Sequence, residues 1–143
     1  SLRPDQKSKA IISTETPAEI MNYKPRLAIL DKHQGLLYNE MSTAQQAKLK
    51  EIITYYIGRS SKLFVKDIIK NIEKAGWDKF SFVWMGSQEV TPGNKHYYRI
   101  QSPDYIIEYD NFQNNGNHVH SIFRDVKNDF GDALADHYKA EHP

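Results

Sequence analysis

The sequence predicts an α+β fold, on three observations. Two segments with apolar residues at helical spacing lie in the first half, four aromatic and β-branched runs follow, and a short helical pattern closes the chain. Residues 1–40 read as an irregular arm with a short helix. Residues 41–143 read as an α+β domain: a helical hairpin, a four-stranded antiparallel β-meander and a C-terminal helix.

In the arm, "SLRPDQKSKAII" has the composition of a short helix, and Pro17 and Pro25 interrupt any longer pattern. The first helix of the hairpin is "MSTAQQAKLKEIITYYIG". Ser42 is its N-cap, Gln45 the capping-box partner, Leu49, Ile52, Ile53, Tyr56 and Ile57 its apolar face, and Gly58 its close. The second, "KLFVKDIIKNIEKAG", lines Leu63, Val65, Ile68, Ile69 and Ile72 along one face and stops at Gly76. The period then changes to alternation in "KFSFVWMG", "KHYYRIQ", "YIIEYDN" and "HVHSIFR", with turn-forming segments between. The tail "KNDFGDALADHYKAEHP" has Asn128 or Asp129 as a cap and Phe130, Leu134 and Tyr138 at four-residue spacing, a short closing helix.

At 143 residues and 39% hydrophobic content the chain is the size of one ordinary domain. Nineteen basic and eighteen acidic residues leave a net charge of +1, without the global field that draws proteins to nucleic acid. No apolar run approaches the ~20 residues of a membrane helix. With no cysteine, disulfide and thiol chemistry are excluded. The chain starts at Ser1 in "SLRPDQ", the start expected of a processed or trimmed chain whose beginning, with any targeting signal it held, is missing.

Strand alternation puts chemistry-bearing side chains together. His118, His120 and Ile122 point one way and Val119, Ser121 and Phe123 the other, while Glu108 and Asp110 share a side in the preceding strand. Pairing Asp110 with His118 and Glu108 with His120 sets polar opposite polar, and Tyr97 and Arg99 join that side from the strand before. Two imidazoles with one or two carboxylates at cross-strand distances of ~5 Å are a ligand set for zinc, iron or copper. Without a metal, a carboxylate behind a histidine would hold a general base and Arg99 would receive an anionic substrate group; with one, Arg99 or Arg124 would orient the substrate. The competing reading is structural: one face of an antiparallel sheet is normally solvated and is built of the same residue types.

Other motifs point elsewhere. "DFGD" lacks the glycine-rich loop, the strand lysine and the "HRD" that kinase chemistry requires, and reads as a helix cap. "IGRSSK" lacks phosphate-loop spacing. Trp77 and Trp84, with nine tyrosines, read as core aromatics rather than a ligand surface.

The stretches "WMG", "YYRIQSPDYIIEYDNFQNNGNHVHSIFRD", "NDFGDALADHY" and "GLLYNEMSTAQQAKLKEIITYYI" resemble, in that order and over essentially the whole chain, the C-terminal part of the domain of unknown function 3500 family of bacterial proteins. The matching positions are Tyr97, Tyr98, Arg99, Glu108, Asp110, Asn111, Gln113, Asn117, His118, His120, Arg124, Asp125, Asp129 and Gly131. The resemblance implies a longer, exported protein, periplasmic or extracellular, with paired histidines in an upstream portion that would be a partner of this one. It implies no settled activity.

Two functions are expected from these residues. The first is a metal-dependent hydrolytic or oxidative site for a small-molecule or polymer substrate, with His118 and His120 as ligands to a divalent metal and Glu108, Asp110, Arg99 and Arg124 in catalytic roles. The alternative is a non-catalytic binding or assembly module that docks through the polar sheet face. Neither nucleic acid nor a membrane span is expected.

Overall fold

The computed structural model describes residues 2–21, 34–89, 91–127 and 140. It is a mixed α+β structure with three α-helices, α1 (Pro4–Ala10), α2 (Thr43–Gly58) and α3 (Lys62–Ala75), among the described residues. The sheet has six strands: β1 (Ile11–Ser13), β2 (Leu36–Leu37), β3 (Ser81–Gly86), β4 (His96–Gln101), β5 (Tyr105–Gln113) and β6 (His118–Asp125). Four strands were expected, and the arm supplies the other two. β1 runs parallel to β3, β2 antiparallel to it, and the remaining neighbours pair antiparallel in the order β3-β4-β5-β6. Runs of two and three residues carry too little alternation to be recognised in sequence. The expected C-terminal helix falls on residues that, Ala140 aside, lie outside the described ones.

Local chemistry sets the helix ends. Ser42 Oγ accepts from the Gln45 backbone N–H at 3.4 Å and Gln45 Oε1 accepts from Ser42 N–H at 2.8 Å, a reciprocal cap at the start of α2. Gln6 of α1 and Gln45 exchange side-chain amide hydrogen bonds of 2.9 and 3.0 Å, docking the arm's helix on the start of α2. Gly76 ends α3 at φ +102°, a conformation glycine adopts without penalty.

One sheet face packs on the helices. Leu49, Ile53, Tyr56 and Ile57 of α2 and Ile72 of α3 bury against Phe80, Ile100, Tyr105 and Ile107. Each such apolar side chain contributes roughly 1.5–3 kcal/mol. Leu63 does not join this face as its spacing suggested: it is 81% exposed in the first turn of α3. On the same sheet face Trp84, Tyr98 and Tyr109 sit directly opposite one another on adjacent strands and stack nearly parallel. His96 stacks on both Trp84 and Tyr109, at 4.8 and 5.2 Å between centroids.

The β5–β6 hairpin carries an extra residue. Asp110 pairs with His120 and Gln113 with His118, so β5 takes three steps where β6 takes two. The turn beyond it holds Asn114, Asn115 and Gly116 at positive φ. Asn111 ties turn and bulge together: its Oδ1 accepts from His96 N–H at 2.7 Å and its Nδ2 donates to the carbonyls of Asn94 and Gly116.

Two outcomes test this packing. Gly35 precedes β2 at φ +93°, and a Cβ there would lie 2.3 Å from the Phe82 carbonyl oxygen. Gly35→Ala should therefore cost at least about 2 kcal/mol in urea denaturation. His96 has a buried Nδ1 without a hydrogen-bond partner, and burial pushes the imidazole below its ordinary value of 6.5. The unfolded chain then takes up this proton at higher pH than the folded one, so the His96 contribution to stability is full above about 6.5 and declines as pH falls below it. His96→Phe keeps the stack and should lose less melting temperature than the parent between about pH 7.5 and 5.5.

Candidate functional site

The polar row expected on the second sheet face is present, and four of its six members are buried. Tyr97, Glu108 and Asp110 are 0% exposed and Arg99 is 8% exposed. At the β6 edge of the row His118 is exposed and His120 half-buried. Part of the reason for the burial lies in the arm: the Met21 backbone N–H donates to Glu108 Oε1 at 3.2 Å, and Glu19 meets His120.

The register differs from the expected one by two residues: Asp110 faces His120 rather than His118, and Glu108 faces Ile122 rather than His120. A shift of two preserves the face of every side chain, so Asp110 still meets an imidazole, that of His120. The bulge then aims the Asp110 carboxylate. Oδ1 accepts from the Phe112 N–H at 3.1 Å, and Oδ2 is buried, without a hydrogen-bond partner, 3.5 Å from His120 Nδ1. The same Nδ1 is 2.8 Å from Glu19 Oε1. The Ile20 N–H, and after it His120, hold the Glu19 carboxyl below the usual carboxylate value. On the other side of the ring, His120 Nε2 is 2.9 Å from His118 Nε2, with the two rings edge to face.

Glu19, Asp110 and His120 each offer a ligand atom, and these atoms all lie within 4.8 Å of one another. The 2.8 Å contact is a direct hydrogen bond between the Glu19 carboxylate and the imidazole, and donors ~2.1 Å from one ion would stand ~3.0–3.4 Å apart, close to the 2.8 and 3.5 Å separations around Nδ1. His118 faces the other ring nitrogen and does not join this trio. Alongside lies an open cavity of about 810 Å³, lined by Glu19, Ile20, Arg59, Val119, His120, Ser121 and Ile122.

The other candidates lie apart. Glu108 is engaged by the Tyr97 hydroxyl as well as by Met21, and burial, then the Glu108 charge, push that hydroxyl above its ordinary value. Arg99 stands opposite Glu108. Arg124 pairs with Ile106, four residues along β6 from His120, which is ~13 Å at strand rise. Glu19 is the residue that sequence reasoning missed. It comes from the irregular arm, about a hundred positions from its partners, and no periodicity marks it.

No helix among the described residues is long and apolar enough to cross a membrane. Comparisons with curated proteins and with solved structures return no match. A family model described as a protein of unknown function, DUF3500, matches residues 1–132, nearly the whole chain, and the chain belongs to this family.

Proposed function

We propose that Glu19, Asp110 and His120 hold a divalent cation, zinc or iron, and that the site performs metal-assisted hydrolysis on a substrate entering through the adjoining cavity. One observation carries the reading: a fully buried carboxylate oxygen, Asp110 Oδ2, makes no hydrogen bond and points at an imidazole nitrogen that a second carboxylate also meets. A buried, under-satisfied carboxylate is costly, and a cation relieves that cost. Two carboxylates and one imidazole leave coordination positions open, which separates catalytic from structural sites. When bound, the cation would supply a water acidic enough to attack near neutral pH.

The chain's own groups have distinct roles in this reading. Phe112 N–H fixes the Asp110 carboxylate, so Oδ2 is presented without reorganisation. Glu19, half-exposed and held ionised by the Ile20 N–H, closes the trio from the arm. His118, exposed, would accept at its Nε2 from the Nε2–H that His120 carries when its Nδ1 binds the cation, and so would orient that ring at the mouth of the site.

The test is cation binding by the untagged protein. Zinc or ferrous iron should bind at one equivalent, and zinc at about 100 times its dissociation constant should raise stability by about 2.7 kcal/mol. Asp110→Asn preserves the acceptor for Phe112 and should weaken binding by more than the roughly 10–100-fold that loss of a supporting residue costs. His120→Ala should behave likewise, whereas His118→Ala should lose no more than about tenfold. A parent protein that retains no zinc, iron, manganese or copper on dialysis sinks the reading and returns the polar row to a structural role.

A further inference from the structure

The aromatic ladder on the helix-facing side of the sheet ends abruptly. Trp84, Tyr98, Tyr109 and Ser121 are direct cross-strand partners in successive strands. The first three carry rings that stack within 12° of parallel, Tyr98 on Tyr109 at 5.1 Å between centroids. The fourth position carries only a hydroxymethyl group. Strands lie ~4.8 Å apart, close to the spacing at which aromatic rings stack, so the Ser121 position is one ring short.

That gap opens into a cleft of about 540 Å³ between α2 and the sheet, walled by Tyr55, Tyr56, Tyr98, Tyr109, Val119 and Ser121. Its ring wall is fixed, because the Tyr56 and Tyr98 hydroxyls hydrogen-bond at 2.8 Å. Lys48 and Glu51 at its edge neutralise one another in a 2.7 Å ion pair. Arg59 is different: its guanidinium reaches the neutral Ser121 Oγ at 3.4 Å, and among the described residues no carboxylate pairs with it. Among the described residues, the cleft thus offers an uncovered ring face beside a cation with no carboxylate partner.

We infer that this cleft is a binding site for a small planar aromatic acid, whose ring adds a fourth layer on Tyr109 over Ser121 and whose anionic group meets Arg59. Ser121 and His120 are consecutive and project to opposite faces, so the ring layer and the Glu19–Asp110–His120 trio lie on opposite sides of β6, while Arg59, Val119 and Ser121 also line the cavity beside the trio. The aromatic site does not require a bound metal.

Benzoate is the probe, followed by its proton NMR shifts and by saturation transfer from the protein. Its ring protons should move upfield on binding. Cyclohexanecarboxylate, with the charge and no π face, should bind about 2–10-fold more weakly. Benzyl alcohol, with the ring and no charge, should bind at least about tenfold more weakly. Arg59→Gln should erase the preference for benzoate over benzyl alcohol. Ser121→Trp places the chain's own ring in the fourth layer and should abolish binding with the melting temperature kept or raised. Absence of benzoate binding, equal binding of all three probes, or undiminished binding by folded Ser121→Trp overturns the inference. If Ser121→Trp does not fold, benzoate-induced amide shifts in the parent decide instead: clustering at Tyr98, Tyr109, Val119 and Ser121 supports the site, and shifts elsewhere overturn it.

Discussion

The single extra residue in β5 between Asp110 and Gln113 is the constraint on which the candidate site rests. A bulge interrupts the ladder and leaves a backbone N–H in need of an acceptor. Here the Phe112 N–H finds Asp110 Oδ1, so the irregularity of the strand is what fixes the carboxylate. Without the bulge the hairpin pairs in a different register, and Asp110 no longer stands opposite His120. Asn111, nearly buried, holds the arrangement from the other side through three backbone hydrogen bonds.

The sheet uses its two faces for different purposes. Helices α2 and α3 cover the aromatic and aliphatic face, which supplies the hydrophobic core. The other face buries a row of polar groups, a costly arrangement unless each is matched. Glu108 is matched by the Tyr97 hydroxyl and the Met21 N–H, and so belongs to the framework. Asp110 is matched on one oxygen only. That difference between two carboxylates two residues apart on one strand is what the proposed cation site rests on. β6 carries the consequences to both faces, with His120 toward the polar row and Ser121 toward the aromatic cleft.

Much of this was legible in the residues. Ser42 and Gln45 marked the start of α2 through a capping box that the coordinates contain, and Gly76 marked the end of α3. Alternation placed Asp110 and His120 on one face, and this survived a register error because the error was of two residues. The bulge itself was not legible, since "FQNNGN" reads wholly as a turn, whereas Phe112 and Gln113 continue β5. Nor were β1, β2 and Glu19. Two- and three-residue strands carry no period, and a contact spanning about a hundred positions is set by tertiary packing. The burial of much of the polar row was equally hidden, because the residue types of a solvated face and of a buried polar row coincide.

X-ray absorption at the zinc edge of the zinc-loaded protein tests the central claim most directly, because it counts the imidazoles around the ion. The account predicts one imidazole and two carboxylate oxygens at about 2.0–2.2 Å. A shell of two imidazoles would place the ion between His118 and His120 instead, and a shell of oxygens alone would remove it from His120. Either result would contradict the assignment.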